Sequence, residues 1–316
     1  MPCTISPLEI KRVKGMGFLN NKGTDLFNAR IITVNGKITS EQTAVIAEAA
    51  KKFGNGEVEF TTRLTVEVRG VHFDNIPAFQ EFIGQAGLIT GGTGSLVRPV
   101  VSCKGTTCQY GLYDTFALSE EIHKRFYLGY HSVKLPHKFK IACGGCPNNC
   151  VKPTLNDLGI IGQLAPQLDE DSCNGCKKCQ IVNVCPMKAC KVEDGCLAID
   201  PEACNNCGRC VGHCPFDAME EGKPGFKIYI GGRWGKKIAH GQPLHKFFTS
   251  EEEVLKTVEK AILFFREQGK TGERFSDTIE RLGFDYVEKE LLSDDILARK
   301  DAILAAELHL VGGATC

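Results

Sequence analysis

Between residues 37 and 54, KITSEQTAVIAEAAKKFG, apolar side chains recur every three or four positions and polar ones fill the gaps. That period predicts an amphipathic helix, with Ser40 as its N-cap and Gly54 as its stop. VEFTTRLTVEVRGV (58–71) then alternates, which predicts one long half-buried strand, and NIPAFQEFIGQAG (75–87) predicts a helix returning against it. Further helices are expected over 116–127, 250–267, 272–283 and 293–307, and strands over 138–142, 157–163 and 226–232. LITGGTGSLVRPVVSC resembles a phosphate-binding loop only in its glycines. A proline stands where a helix would have to open, so the stretch reads as loop. The tail VGGATC reads as frayed.

Composition narrows the class. Apolar residues make up 42% and charged residues 24% of 316, ordinary values for a globular chain. Formal net charge is zero, so bulk electrostatics argue for neither nucleic acid nor membrane. No apolar run approaches a membrane span and the N-terminus lacks an apolar leader, so a cytoplasmic protein is expected. Seventeen cysteines are the outlying feature, most of them between Cys143 and Cys214. In a chain this long with repeated C-x2-C spacing, bound metal accounts for them better than a disulfide framework. Cys3 and Cys316, near the ends, have no partner pattern and read as incidental.

Residues 166–221 form an acidic island, with ten acidic and five basic side chains. CNGCKKC (Cys173, Cys176, Cys179) precedes Cys185-Pro186, and CNNCGRC (Cys204, Cys207, Cys210) precedes Cys214-Pro215. C-x2-C pairs also serve tetrahedral zinc, but a repeated triple with a trailing Cys-Pro favours iron–sulfur. The block resembles the bacterial two-cluster ferredoxins. That resemblance implies one [4Fe–4S] cluster on Cys173, Cys176, Cys179 and Cys214, and a second on Cys204, Cys207, Cys210 and Cys185. Five residues separate Cys179 from Cys185 where those ferredoxins have three, and Cys190 is the alternative fourth ligand. Cys190 and Cys196 otherwise read as small core residues.

A separate set remains: Cys103 and Cys108, then Cys146 and Cys150 in GCPNNC. These two pairs resemble the sulfite and nitrite reductases that carry sirohaem coupled to a [4Fe–4S] cluster. The resemblance implies that all four thiols ligate a cubane and that Cys150 also bridges to the sirohaem iron. The first pair is C-x4-C, one residue shorter than the family's C-x5-C. The resemblance extends to the T-x-R strand (Arg63), the Arg before the first cluster cysteine (Arg98) and the K-x-K strand (Lys138, Lys140), and implies substrate-binding and catalytic roles for them. GGRWGKK (231–237) and GERFSDTIERLG resemble the catalytic subunit of the anaerobic sulfite reductases, with Arg233, Lys236 and Lys237 implied as partners of the sirohaem carboxylates.

Physical chemistry runs the same way. A carboxylate-rich ring needs fixed cations, and Arg supplies forks where Lys supplies a point charge and a transferable proton. On a K-F-K strand, Lys138 and Lys140 share one face by the period of two, so both can hold one anion and protonate it. Taken alone, Arg63 would be a solvated strand residue and the lysine pair an exposed face. Their place just ahead of a cluster loop reverses that reading. Arg69 stays a solvated side chain, Cys143 a buried free thiol, and His131, His137 and His240 surface or packing residues.

The fold expected is α+β: a half-size sulfite/nitrite reductase fold with a ferredoxin-like half domain (1–95), a sirohaem and [4Fe–4S] domain (96–165 and 222–316), and an inserted two-cluster module (166–221). The function expected is six-electron reduction of sulfite to sulfide, with nitrite to ammonia, or a non-catalytic electron-transfer subunit, as the alternatives. No nucleotide or flavin motif is convincing, so electrons would come from donor subunits or a ferredoxin. A single half with no internal repeat would leave the pocket open to water, which predicts a homo-oligomer or a heteromer.

Overall fold

The computed structural model describes residues 4–309, so Cys3, Cys316 and the VGGATC tail lie outside the described residues. The chain opens with helix α1 (Pro7–Gly15), whose N-cap Ser6 accepts the Glu9 N–H. Strands β1 (Phe18–Asn20) and β2 (Leu26–Ile31), helix α2 (Ser40–Phe53), strands β3 (Val58–Phe60) and β4 (Val66–His72), and helix α3 (Ile76–Gly84) follow. The four strands form an antiparallel sheet in the order β1-β2-β4-β3. Along β2, Phe27, Ala29 and Ile31 are buried on one face, as strand alternation requires. They join Phe18, Val68, Phe79 and Ile83 in the first hydrophobic core.

Two expectations change here. The N-cap of α2 is Thr39, one residue before Ser40. Its hydroxyl accepts the Gln42 N–H while the Gln42 side chain accepts the Thr39 N–H, each at 3.1 Å, a capping box. Residues 58–71 are not one strand but a hairpin, β3 and β4, reversed through Thr61–Thr65 with Leu64 at φ 58°. Both arms alternate, so the pattern looks continuous, and Arg63 lands at the turn.

The second layer is a five-stranded mixed sheet, ordered β11-β10-β7-β6-β5. Strands β5 (Val101–Ser102), β6 (Ile141–Gly144) and β7 (Leu158–Pro166) run parallel. Strand β10 (Gly222–Ile230) pairs antiparallel with β7, and β11 (Gln242–Pro243) with β10. Helix α4 (Thr115–Ile122) runs on into a π-helical turn, His123–Leu128. The strand expected over 138–142 begins at Ile141; ahead of it Phe139 makes only an isolated bridge to Val97. Helix α6 (Glu251–Gln268) buries Val254, Leu255, Val258 and the run Ala261–Phe265 in the main core. After it come α7 (Phe275–Leu282), α8 (Phe284–Leu292), α9 (Asp295–Ala298) and α10 (Lys300–Ala305). Helix α8 has no counterpart among the expected elements, and the expected helix over 293–307 is the pair α9 and α10.

Strands β7 and β10 pair over nine residues, and the pair Pro166–Gly222 ends the ribbon. The chain between them carries α5 (Gln180–Val184) and the hairpin of β8 (Cys190–Glu193) and β9 (Cys196–Ile199), turned through Asp194-Gly195 with both φ positive. It has its own small core of Ile181, Cys190, Leu197, Cys210 and Met219. Among the described residues no helix is long and apolar enough to cross a membrane.

Candidate functional site

Strand β6 is the hinge of the site, with lysines before it and cysteines after it. Phe139 is fully buried against Phe265 and Phe275, ring centroids 5.9 and 5.3 Å away. Anchoring Phe139 in the core turns its neighbours Lys138 and Lys140 to the other face, where both are half-buried. On β6 itself Cys143 points into the core and is 0% exposed, in keeping with a free buried thiol.

The loop from Cys103 wraps around Gly145. The Cys103 N–H donates to the Cys143 carbonyl, the Gly145 N–H to Cys103 Sγ at 3.2 Å, and the Leu112 N–H to the Gly145 carbonyl. Between Cys103 and Cys108 a 3-10 turn, Gly105–Thr107, shortens the path, so the C-x4-C loop doubles back on itself. Burial raises the pKa of Cys146, and the nearby thiols of Cys103, Cys150 and Cys108 push it the same way. The four cysteines therefore lie within electrostatic reach of one another. Cys150 is the exposed member, and Asn149 at φ 57° sets the turn that presents it.

In the inserted segment the two quartets line separate small pockets. Cys173, Cys176, Cys179 and Cys214 line one with Leu168, Ile181 and Phe216. Cys185, Cys204, Cys207 and Cys210 line the other, which Cys190 also borders. Among the described residues no three His, Cys, Asp or Glu side chains converge on a single-ion site. Thiols spread around a cavity suit a cubane, which takes one thiolate per iron. Cys190 lies in the small core, whereas Cys196 is half-buried and hydrogen-bonded to Cys173. Burial, reinforced by Cys185, holds the Cys190 thiol up at about 12, while Cys185 Sγ accepts the Ala189 N–H.

The cationic residues gather on the lysine side. Arg98 donates its backbone N–H to the Phe139 carbonyl and its guanidinium to Gly92 O, which seats it beside the lysines. Arg63, from the β3–β4 turn, is half-buried and committed to protein acceptors: Pro99 O at 2.6 Å, Asn156 Oδ1 at 2.9 Å and Ile141 O at 3.2 Å. Arg274 and Asp157, neither of them a candidate from the sequence, pair in a buried salt bridge. The Arg274 Nε is buried with no hydrogen-bond partner, so this cluster is short of acceptors. Its field acts on the neighbouring bases. Burial, then Arg63 and Arg274, push the Lys140 ammonium down to about 8. Burial, then Lys138, Arg274, Arg98 and Arg233, push His137 down to about 4. Burial alone would disfavour an ion of either sign, but the repulsion among these neighbouring cations is relieved by an anion.

Arg233 is held by Asp277 Oδ1 at 2.7 Å, at the base of a loop closed by reciprocal hydrogen bonds with Ala239. Gly232 beneath it has no room for a side chain, since a Cβ would stand 2.3 Å from Thr154 O. Lys236 and Lys237 lie on the exposed stretch with Trp234 and Ile238, and Lys237 lines one pocket with Arg233. His131 and His240 are exposed. Asp157 and Arg274 carry no motif; only a buried acid ahead of the apolar strand GIIG hints at an internal counter-ion.

Residues 93–296 match the nitrite and sulphite reductase 4Fe-4S domain, and residues 20–86 the nitrite/sulfite reductase ferredoxin-like half domain. The coenzyme F420-dependent sulfite reductase of Methanocaldococcus jannaschii is 30% identical over 262 residues, 81% of this chain and 41% of that protein. A subunit of the anaerobic sulfite reductase of Salmonella typhimurium is 29% identical over 198 residues, 56% of this chain and 53% of that one. The chain thus spans about two fifths to one half of these relatives' lengths. Dissimilatory sulfite reductase I superposes with a TM-score of 0.67 at 23% identity, over 84% of this chain and 69% of that one, a likeness of fold.

Proposed function

The chain belongs to the nitrite and sulphite reductase family, and on that premise we propose that it reduces sulfite to sulfide by six electrons. One observation carries the reading: a single short strand, β6, has the cationic cluster at its entry and the Cys146/Cys150 loop at its exit. Cys103, Cys108, Cys146 and Cys150 would hold a [4Fe–4S] cluster, with Cys150, the exposed thiol, also reaching sirohaem. Arg233, with the long side chains of Lys236 and Lys237 at the loop tip, would meet sirohaem carboxylates. When bound, sirohaem supplies the iron centre at which the substrate is reduced.

The chain's own residues do the rest. Arg98, Lys138 and Lys140 hold the oxyanion, and the ammonium of Lys140, with its pKa lowered to about 8, is suited to releasing a proton near neutrality. Each S–O bond that breaks sends its oxygen away as water, which needs protons delivered at that place. Arg63, bonded to Pro99, Ile141 and Asn156, fixes the first sheet against the second and so positions the cluster. The inserted segment would carry two further [4Fe–4S] clusters, on Cys173, Cys176, Cys179 and Cys214 and on Cys204, Cys207, Cys210 and Cys185. Cys190, buried and protonated, then donates to Cys185 instead of replacing it. The three-part division at residues 95, 165 and 221 follows these roles. Completion of the site by a second copy or by donor subunits fits the exposed Cys150, and a cytoplasmic location is part of the same reading.

Nitrite is the second reading, because a nitrite reductase of Bacillus subtilis is also similar, at 24% identity over 258 residues. The test is the absorption spectrum of anaerobically purified protein, followed by sulfide and ammonia assays with a reduced viologen. A sirohaem spectrum with sulfide production supports the proposal. Cluster absorption alone would leave an electron-transfer subunit, and ammonia alone a nitrite reductase. Replacing Lys138 and Lys140 by Met is expected to abolish turnover and leave the spectrum intact.

A further inference from the structure

The two quartets of the inserted segment differ in what they touch. Around Cys173–Cys179 the close contacts stay within the segment: Gly175 packs on Gly195, the Leu197 N–H donates to Cys173 Sγ, and the Asp169 N–H donates to Ala218 O. The Cys204–Cys210 loop instead lies on the main sheet. The Leu164 N–H of β7 donates to Asn206 O at 2.8 Å, Leu164 bridges to Cys207, and Gly208, at φ 69°, packs on the Leu164 side chain. Two residues back along β7, Gly162 is pressed against Gly145, the residue before Cys146; a Cβ there would stand 2.6 Å from Gly145 O.

A second contact closes the same gap from the other side. The Arg209 guanidinium sits over the Tyr110 ring, 5.3 Å from its centroid. Arg209 is the neighbour of Cys210, and Tyr110 lies in the turn that the Gly111 N–H closes on the Cys108 carbonyl. Thus the Cys204/Cys207/Cys210 loop touches the turn that follows Cys108 directly and the Cys146 loop through β7.

We propose that the quartet Cys185, Cys204, Cys207 and Cys210 is the exit port of the segment, that Cys173, Cys176, Cys179 and Cys214 form the entry port, and that Arg209 on Tyr110 holds the exit port against the catalytic cubane. This rests on the proposed cofactor content. Electrons pass singly from a low-potential one-electron donor to the entry cluster, then the exit cluster, then the Cys103/Cys108/Cys146/Cys150 cubane. Each transfer oxidises one centre and reduces the next, and no proton or bond is involved. Arg209 and Tyr110 are positioning residues; they carry no electron themselves.

The test uses the full chain, loaded with iron, sulfide and sirohaem, and three variants: Arg209→Ala, Tyr110→Phe and, beside the entry quartet, Lys177→Ala. Lys177 is exposed. Iron content and the electron paramagnetic resonance of reduced clusters come first. The internal rate is then followed as sirohaem reduction after the segment has been reduced by a viologen. Arg209→Ala is expected to slow that internal step by about two- to fivefold, the share of docked molecules a solvated cation–π contact sustains. It is also expected to speed hydrogen exchange at the Leu164 N–H, with the cluster signals unchanged. Tyr110→Phe keeps the ring and is expected to behave as the parent. Lys177→Ala should alter only the bimolecular step with the donor. An unchanged internal rate in Arg209→Ala, or a slowed one in Lys177→Ala, would overturn the ordering. Iron sufficient for only one cluster would strike at the proposed function first, and remove the ordering with it.

Discussion

Arg274 donates one terminal nitrogen to both carboxylate oxygens of Asp157, at 2.9 and 2.8 Å, in a pair 7% and 0% exposed. The same carboxylate accepts the Lys140 N–H at 2.9 Å, and the Asp157 carbonyl accepts the Gly231 N–H. One buried ion pair thus ties the start of β6, the start of β7 and the end of β10 to the α7 region. Removing the cation strands a buried negative charge. Arg274→Met is expected to cost about 3–5 kcal/mol in urea unfolding, and Asp157→Asn combined with Arg274→Met to recover part of it. Additive losses would show that the two side chains do not act as a pair.

The lowered pKa of Lys140 has two consequences of fixed sign. Below about 8 the group is charged, so affinity of the cofactor-free chain for an oxyanion is expected to fall as pH rises through that value. Between about 8 and 10.5 the unfolded chain holds the Lys140 proton that the folded chain has lost, so stability rises with pH across that window. Lys140→Met should flatten both curves, read by sulfite binding calorimetry and by denaturation at several pH values.

Arg63 donates to three acceptors on the far side of the interface between the two sheets. Arg63→Met leaves them without that donor, at a cost of about 1–3 kcal/mol. Arg63→Lys is not expected to rescue, because one ammonium cannot reproduce the fork. Hydrogen exchange at residues 61–65 should accelerate in both variants. A raised KM with unchanged stability would instead make Arg63 an anion ligand.

At Gly162 a methyl group would meet Gly145 O at 2.6 Å and the Tyr113 ring at 2.7 Å. Gly162→Ala is expected to cost about 1–3 kcal/mol by overpacking and to displace the Cys146 loop, with iron per chain falling by one cluster's worth. Gly84→Ala, whose Cβ meets nothing within 4 Å, is the control.

Short-range signals are legible in the sequence. The cysteine pairs and triples are local spacing patterns, and K-F-K fixes its own facing because Phe139 must be buried. The longer gap before Cys185 is filled by α5, a single helical turn that returns the chain to the cavity. Reversal and distance stay hidden. Alternation alone does not distinguish a strand from a hairpin whose arms match in parity, so the turn that presents Arg63 reads as strand. Thr39 and Ser40 are both good caps, and only the reciprocal bond from Gln42 decides between them. Asp157 and Arg274 stand 117 residues apart, and no local pattern couples them.

The register pair Pro166–Gly222 means that the cysteine-rich segment leaves and re-enters at adjacent points, at the tip of a ribbon already complete without it. Such a junction makes the segment a detachable cartridge: chain swaps at a hairpin tip are borne by the turn and not by the sheet. A short turn in place of residues 167–221 should leave a folded scaffold, and on the proposed function a different cluster-bearing segment spliced there would let it accept a different reductant. What such a graft must reproduce is small: a side chain to rest on Tyr110 and a backbone carbonyl for Leu164.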